Sequence, residues 1–436
     1  MDAFAPRIQQ RLDALAQISA EPGAITRLYL TPEQARAEAL VAGWMGEAGL
    51  QVRRDAVGNL IGRVEGREPG GPALVIGSHL DTVRNAGRYD GPLGVVAAIS
   101  CVEAVLRQGP PPVAIEVVGF ADEEGVRFAA TLTGSRAFAG HLDPAALRTL
   151  DAAGTTLAAA MREYGLDPKA VPTAARTPDQ ILGYVELHIE QGPMLEREGL
   201  PVGLVTAISG ASRLEITLSG EAGHAGTVAM TERRDALAGA AECILAIEAR
   251  CRGEEHLVGT VGRIQALPGA VNTIPGQAKF SLDLRAPDDA QRHAALADID
   301  LACKRIALRR RLGFGIALLH EAEAVPCDPG MTALVEAAIV AEGHPVLALP
   351  SGAGHDGMAV AAIAPIAMVF VRCRGGISHN PAEFASLPDI EAGTRVLLGT
   401  VRGFLAARER SADQTSPRSA GAASAKTRRR LAGSSP

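Results

Sequence analysis

The chain has 436 residues, a length that usually folds as two domains rather than one. Its formal net charge is -6, which argues against binding to nucleic acid or to an anionic membrane surface. Only 3% of its residues are aromatic, so neither a base-stacking platform nor a carbohydrate-stacking cleft is expected.

The cysteines and the apolar segments bear on the cellular location. The six cysteines are scattered without a CxxC pair, and most of them lie in apolar helical or strand contexts. We interpret them as reduced core residues of a cytoplasmic protein. The sequence shows neither a signal peptide nor a stretch of about 20 apolar residues, so no membrane partner is expected.

The first half of the chain alternates strands and helices in the manner of a mainly parallel sheet. An amphipathic helix opens the chain, and an apolar run at 74–77 predicts a buried strand. A helix over 91–106 and a strong strand over 113–120 follow it, and another strand starts at residue 183. Strand, helix and strand at this spacing are typical of a βαβ unit.

The pattern changes near residue 210 and returns near residue 325. Between these points we predict strands and helices in the order strand, helix, strand, strand, helix, strand, which suggests an inserted α+β sandwich. The predicted fold is therefore α/β, with a catalytic domain over 1–209 and 325–410 and an inserted domain over 210–324. Residues 411–436, rich in Ser, Ala, Gly and basic residues, are predicted to be a disordered tail.

Imidazole and carboxylate side chains follow several of the predicted strands. In open α/β sheets this carboxyl edge is where ligands bind, and such side chains are ligands for Zn²⁺, Mn²⁺, Co²⁺ or Ni²⁺. Singly, each is more often a solvated loop residue, but together they fit two ions, with His79 and His188 on one, Glu124 and His379 on the other, and Asp90 between. Asp81, two residues past His79, is well placed to fix the tautomer of that imidazole.

Glu123 and Glu124 are adjacent carboxylates on a predicted irregular turn. Neighbouring side chains on such a turn point in different directions, so one can bind metal while the other accepts a proton from the attacking water. The residues alone do not separate this role from that of a simple acidic turn.

Seven ordered segments carry a more specific signal: GSHLDTVRNAGRYDGPLGV, FADEEGVRF, GYVELHIEQGP, GHAGT, NTIPG, SGAGHDGM and GISHNPAE. They resemble the motifs of the amidase/hydantoinase/carbamoylase family, a branch of the di-metal superfamily of aminoacylases and carboxypeptidases. The resemblance covers roughly residues 5–408. It implies a catalytic domain of di-zinc exopeptidase type, two divalent metal ions per subunit, and Glu123 as the general base. It also implies five metal ligands, with Asp90 bridging: His79, Asp90, Glu124, His188 and His379.

The resemblance further implies that the inserted domain acts as lid and dimer interface. His224 of GHAGT would reach the partner subunit's site, where a donor stabilises the tetrahedral oxyanion. Asn272 and Arg285 resemble the family's clamp for the substrate carboxylate, a role that suits the planar fork of arginine. Taken alone, Arg285 is better explained as a strand-end salt bridge. Further substrate contacts are implied for Gln191, Gly354 and His355.

We therefore expect a homodimeric, metal-dependent amidohydrolase that cleaves the ureido C–N bond of a small carboxylate substrate. The segments VRNAGRYDGPLGVV and DEEGVRF favour allantoate amidohydrolase. N-carbamoyl-L-amino-acid hydrolase or β-ureidopropionase is the alternative within the family. Two alternatives lie outside this branch, namely an aminoacylase or dipeptidase of the same superfamily, and a non-catalytic binding protein on the same scaffold.

Overall fold

Two main β-sheets organise the protein, whose computed structural model describes residues 3–415. The strands in chain order are β1 (Gln51–Arg54), β2 (Leu60–Val64), β3 (Ala73–His79), β4 (Ala114–Phe120), β5 (Ile181–Ile189), β6 (Val202–Ile208), β7 (Gly210–Ser219), β8 (Gly223–His224), β9 (Val258–Thr260), β10 (Ile264–Leu267), β11 (Thr273–Ile274), β12 (Gln277–Ala286), β13 (Gly313–Ala322), β14 (Val325–Pro326), β15 (Ala348–Ser351) and β16 (Ile366–Val371). The α-helices are α1 (Ala5–Ala16), α2 (Pro32–Glu47), α3 (Pro92–Leu106), α4 (Thr133–Phe138), α5 (Leu157–Glu163), α6 (Met194–Glu198), α7 (Ala236–Arg252), α8 (Asp289–Arg309), α9 (Pro329–Ala341), α10 (Gly357–Val360) and α11 (Leu387–Thr415).

The larger sheet has the strand order β1-β2-β4-β3-β5-β16-β6-β14, with β15 beside β6. Its four central strands, β4, β3, β5 and β16, run parallel to one another. The outer strands β1, β2, β6 and β14 pair antiparallel along this order, whereas β15 pairs parallel with β6. The predicted α/β fold with a mixed, mainly parallel sheet is thereby confirmed, and the carboxyl ends of the four central strands face one edge.

The composition of the central strands explains why they are interior. Every residue of β3 and of β4 is buried, as expected for parallel strands that are covered on both faces. One face packs against α3, α9 and α11, and α1 packs on α3 and α11; all four helices contribute to a large apolar cluster. A second cluster, which includes Phe120, Tyr184 and Phe370, covers the opposite face.

The smaller sheet is antiparallel, with the order β10-β12-β7-β13 and β9 beside β12. Strand β12 alternates between buried and half-buried residues because one of its faces packs against α7 and α8. The chain enters this sheet at β7 and leaves it after β13. Strand β13 forms one edge of the sheet.

The end of the chain and the apolar segments complete the description. Helix α11 continues to Thr415, into the segment predicted as a tail, and residues 416–436 of that tail lie outside the described residues. Among the described helices, none combines the length and the apolar character needed to cross a bilayer. The six cysteines are buried and form no disulfide.

Glu38 is a buried carboxyl group on α2, with Arg54 Nη1 3.6 Å from its Oε2. Burial raises the pKa of Glu38 to about 7 from 4.5, although Arg54 opposes the shift. The folded state therefore binds this proton more tightly than the unfolded chain does. It follows that this group stabilises the fold below about pH 4.5, and that this contribution is lost as the pH rises to about 7.

Replacing Glu38 with Gln removes this titration. Between the two pH values, the free energy of unfolding of the wild type should fall by about 3 kcal/mol relative to that of Glu38→Gln. Urea unfolding followed by circular dichroism at both pH values measures the difference. Glu47→Gln, at an exposed position on the same helix, is the control and should follow the wild type. Equal pH dependence in Glu38→Gln and the wild type would contradict the prediction.

Candidate metal centre

The side chains predicted as metal ligands meet at the carboxyl edge of the four parallel strands. His79 is the last residue of β3, and His188 is the penultimate residue of β5. The turn over 122–124 follows β4, and His379 lies in the loop after β16. This edge is where open α/β sheets bind their ligands.

Asp90 lies between two groups of these side chains. Its Oδ1 is 3.2 Å from Nε2 of His79 and 3.2 Å from Nε2 of His188. Its Oδ2 is 3.4 Å from Nε2 of His379, which in turn is 3.4 Å from Oε1 of Glu124. Within each group the candidate ligand atoms lie within 4.8 Å of one another. The five predicted ligands are thus close together, and the two oxygens of one carboxylate face separate groups.

Main-chain carbonyl groups set the tautomers of two of the imidazoles. Nδ1 of His79 is 3.0 Å from the carbonyl oxygen of Asp81, and Nδ1 of His188 is 2.9 Å from that of Ile189. A carbonyl oxygen can only accept, so Nδ1 carries the hydrogen in both rings. The lone pair of each Nε2 is therefore directed toward Asp90, as a metal ligand requires.

The structure corrects the role predicted for the Asp81 carboxylate. Its Oδ1 is 3.8 Å from Nδ1 of His79, too far to fix the tautomer, which the carbonyl group of the same residue fixes instead. The carboxylate accepts the main-chain N–H groups of Glu123 and Glu124, at 3.1 and 3.2 Å. The reason is that the pairing of β3 with β4 continues for one more residue, because Leu80 N–H donates to the Phe120 carbonyl at 3.2 Å. This bond places Asp81 beside the turn after β4. Asp81 therefore orients that turn.

The electrostatics of the cluster favour cations. Although burial favours a neutral carboxyl group, the surrounding histidines hold the pKa of Asp90 well below its usual value. Burial and the charge of Asp90 raise the pKa of Glu124 to about 7, and burial also raises the pKa of Glu123 well above its usual value. Several buried carboxylates this close cannot all ionise unless cations neutralise them. The donor set and its charge therefore fit a pair of divalent ions.

Two residues that sequence analysis missed hold Asp90 in place. Ser378 Oγ is 2.6 Å from Oδ2 of Asp90 and 3.1 Å from Oε2 of Glu383. Oε1 of Glu383 accepts the main-chain N–H groups of Tyr89 and Asp90, at 2.8 and 3.1 Å. Both residues lie in the GISHNPAE segment, in which sequence analysis singled out only His379.

Gly91 allows the imidazole of His79 to approach Asp90. Its φ is +75°, and a Cβ atom at this position would lie 2.5 Å from the imidazole Cε1 of His79. Any other residue would therefore displace His79. The Asp-Gly pair before α3 follows from this close approach.

His355 lies behind His188 and does not line the cavity. Its ring centroid is 4.5 Å from that of His188, and its Nε2 is 2.8 Å from Oγ of Ser351. Burial, together with the charge of His188, holds the pKa of His355 well below its usual value. The structure therefore does not support the implied contact between His355 and substrate, whereas the neighbouring Gly354 does line the cavity.

A cavity of about 580 Å³ opens at the candidate centre and extends to the smaller sheet. It is acidic beside the candidate ligands, and near the smaller sheet it carries both signs of charge. There the basic lining residues are Arg136, Arg213, Arg285 and His320, and the acidic ones are Glu321 and Glu323. Gln191 also lines the cavity, and its Nε2 donates to Oδ2 of Asp90 at 2.7 Å.

Arg285 forms a salt bridge and also lines the cavity. Its Nε and Nη2 donate to Oδ1 and Oδ2 of Asp283, at 2.8 and 3.0 Å, and its Nη1 donates to the Gly352 carbonyl at 2.8 Å. A guanidinium group has five N–H hydrogens, so one remains on each terminal nitrogen. Asp283 thus fixes the plane of the Arg285 guanidinium group. The remaining N–H hydrogens on Nη1 and Nη2, which we call its outer fork, stay available.

His224 and Asn272 are near each other but lie away from the cavity of their own chain. They belong to the two-stranded ribbon of β8 and β11, in which Ala225 N–H donates to the Asn272 carbonyl at 3.0 Å. Both residues are exposed, and neither lines the described cavity. A single chain therefore does not bring them to the candidate ligands.

A doubly covered mixed sheet with an inserted antiparallel sheet and this ligand cluster is typical of one protein family. The model for peptidase family M20/M25/M40 matches residues 75–403, and the chain belongs to this family. The amidase of the hydantoinase/carbamoylase family from Burkholderia multivorans has a similar structure, with a TM-score of 0.85 and 35% identity. That likeness covers 91% of this chain and 97% of the other.

Two curated relatives define the branch of the family. The chain is 46% identical over 397 residues to the N-carbamoyl-L-amino acid amidohydrolase of Geobacillus stearothermophilus. The aligned residues cover 91% of this chain and 97% of the relative. It is 40% identical over 422 residues to the allantoate deiminase of Arabidopsis thaliana, and this alignment covers 89% of this chain and 80% of the relative. The predicted amidase/hydantoinase/carbamoylase membership is confirmed, as is the predicted class of hydrolase, one that acts on non-peptide C–N bonds.

Replacing Glu383 with Ala should weaken binding of divalent metal ions. The variant removes the acceptor of the Tyr89 and Asp90 main-chain N–H groups and the carboxyl oxygen beside Ser378, so Asp90 loses part of its support. Loss of such an outer contact typically costs 10- to 100-fold in metal affinity. Calorimetric titration of metal-free protein with Mn²⁺ measures the change. Glu342→Ala, at an exposed position, should bind as the wild type does, and equal affinity in both variants would refute the role of Glu383.

Proposed function

We propose that the chain hydrolyses the ureido C–N bond of a small carboxylate substrate and depends on two divalent metal ions. The observation that carries the proposal is the position of Asp90, whose two oxygens face separate ligand groups beside Glu123. The same cavity is lined by the guanidinium groups of Arg136, Arg213 and Arg285, which suit a substrate carboxylate. Names of the relatives support both allantoate and N-carbamoyl-L-amino acids as substrates.

The proposed ligand assignment follows the two groups. One ion would be held by His79 and His188, the other by Glu124 and His379, and Asp90 would be shared. Imidazole and carboxylate donors suit Mn²⁺, Zn²⁺, Co²⁺ or Ni²⁺. When bound, such ions supply Lewis acidity toward the ureido carbonyl and make a water molecule more acidic.

The remaining steps are assigned to the chain's own side chains. Glu123, which borders the cavity, would accept the proton of the attacking water and return it to the leaving nitrogen. Arg285 would bind the substrate carboxylate through its outer fork, while Gln191 and Gly354 would contact the substrate. Asp81 would act by holding the Glu123 turn.

Allantoate is our first candidate, because of the segments around Asp90 and Glu123. N-carbamoyl-L-amino acids are the second candidate, favoured by the 46% identity to the amidohydrolase of Geobacillus stearothermophilus. Steady-state kinetics in Mn²⁺ with allantoate and an N-carbamoyl-L-amino acid panel decide between them. A preference of about tenfold for the panel, or about 1.4 kcal/mol in the barrier, would replace the first candidate. Turnover of only acylated amino acids or dipeptides would contradict the proposed reaction.

Replacing Glu123 with Gln should lower kcat by roughly 10²- to 10⁴-fold, because the proton acceptor is lost while the side-chain volume is kept. Metal content, measured by plasma mass spectrometry, should equal that of the wild type, since Glu123 is not an assigned ligand. Glu163→Gln, at an exposed position at the end of α5, is the matched control with unchanged kcat. Full activity in Glu123→Gln would refute the assignment of the base.

We also propose a homodimer formed through the smaller sheet, and a cytoplasmic location. Strand β13 is an edge strand of ten residues, and Leu318 and Leu319 on it are 54% and 61% exposed. A long apolar edge of this kind needs a cover. His224 and Asn272 would then serve the partner subunit's cavity. The absence of disulfides among the six buried cysteines fits the location.

Mixing two inactive variants tests whether His224 acts across the dimer. Glu123→Gln and His224→Ala homodimers are dissociated and reassociated together. Each mixed dimer then has one site with both an intact Glu123 and a partner's intact His224, so activity should return toward half of that of the wild type per mixed dimer. A mixture of Glu123→Gln with Asp90→Asn should stay inactive, because both changes affect the same half of the site. No recovery in the first mixture would refute the arrangement.

A further inference from the structure

Arg136 is a half-buried arginine that lines the cavity and whose charge has no partner among the described side chains. Within residues 3–411, its guanidinium group has neither a hydrogen bond nor an ion pair with another side chain or a carbonyl group. The other two arginines of the cavity differ, because Arg213 and Arg285 both donate to Asp283. The positive charge of Arg136 is therefore left for something that enters the cavity.

Arg136 is held on the wall formed by the larger sheet. It lies on α4, whose start is bonded to the turn after β4: Leu132 N–H donates to the Glu123 carbonyl at 3.0 Å, and Thr133 N–H to the Asp122 carbonyl at 3.1 Å. Arg285 and His320 line the same cavity from the smaller sheet. On the larger-sheet wall, the guanidinium group of Arg136 has no partner among the described residues. On the smaller-sheet wall, Arg285 has N–H groups left over from its bonds to Asp283 and Gly352.

The charges around His320 indicate how positive this part of the cavity is. Burial lowers the pKa of His320, and the nearby charges of Arg213 and Arg136 lower it further, against the opposing charge of Asp283. His320 is therefore neutral near pH 7 and adds no charge of its own. Asp283 is shared by two arginines, and Glu321 pairs with Arg292 and His293. Glu323 also lines the cavity, but neither glutamate forms an ion pair with Arg136. An anion that enters here recovers the cost of burying this charge.

We propose that Arg136 is a specificity-determining residue that binds the substrate carboxylate together with Arg285. This inference rests on the proposed function. A carboxylate accepts up to about four hydrogen bonds, which is enough for two guanidinium groups. Both arginines line the cavity, and both lie near enough to His320 for their charges to lower its pKa. Arg136 donates from the larger sheet, and Arg285 donates from the smaller sheet through the outer fork that Asp283 orients. Preference for an acid over the corresponding amide then depends on both arginines.

The test compares the ureido acid that the wild type hydrolyses best with the carboxamide of the same acid. In Arg136→Met, the KM for the acid should rise at least tenfold, and the ratio of kcat/KM for acid to that for amide should fall by a similar factor. The kcat/KM for the amide should stay within about threefold of the wild-type value, because the amide carries no charge for Arg136 to bind. Arg136→Lys keeps the charge without the planar fork of arginine. Its acid-to-amide ratio of kcat/KM should therefore lie between that of the wild type and that of Arg136→Met.

Arg148→Met, at an exposed position outside the cavity, is the matched control and should keep the wild-type ratio. An unchanged acid-to-amide ratio in Arg136→Met would overturn the inference. An equal loss of kcat/KM for acid and amide would also overturn it, since that is the result of disturbing the Glu123 turn through α4.

Direct binding separates failure of this inference from failure of the proposed reaction. A wild type that hydrolyses no ureido acid would refute the reaction only. In that case, calorimetric titration of metal-free protein with allantoate and with an N-carbamoyl-L-amino acid still tests the residue. Binding that Arg136→Met weakens at least tenfold supports the inference, whereas equal binding by both proteins, or no binding by the wild type, overturns it.

Discussion

One carboxylate that faces two groups of ligands is the constraint on which the rest of the structure depends. Asp90 has to present Oδ1 to His79 and His188 and Oδ2 to His379. Gly91 leaves room for the imidazole, and Glu383 fixes the main chain on the preceding side. The parallel strands supply the ligands from four separate segments, so the position of Asp90 is set by packing within the whole larger sheet rather than by one loop.

Much of this arrangement is predictable because it follows from strand ends. The apolar runs of β3 and β4 identify buried strands, and parallel strands deliver the residues after them to one edge. That reasoning places His79 near the Glu123 turn without any knowledge of side-chain direction. The same reasoning fails where a contact depends on the direction in which a side chain points. The carbonyl group of Asp81, and not its carboxylate, fixes the His79 tautomer, and His355 points into the packed interior.

Other parts of the site have no signature in a single sequence. Glu383 acts through main-chain N–H groups nearly 300 positions away. Arg136 is notable only because no side chain within residues 3–411 pairs with it. Strand β6, an apolar run like the others, joins the larger sheet antiparallel, an orientation that depends on which neighbour it meets. His224 is exposed on the separate ribbon of β8 and β11, and the site proposed for it belongs to a second chain. These relations arise in three dimensions, and spacing along the chain does not encode them.

The two connections between the sheets lie next to each other. Val325 pairs with Ile208 where the chain crosses, and Ala322 pairs with Ala211 just beyond, while the Asp289 carboxylate accepts Ala324 N–H at 3.1 Å. The smaller sheet is therefore joined to the larger sheet along one border only. The apolar clusters of the two sheets are separate. A change of angle at this border would therefore alter the width of the cavity without opening either cluster.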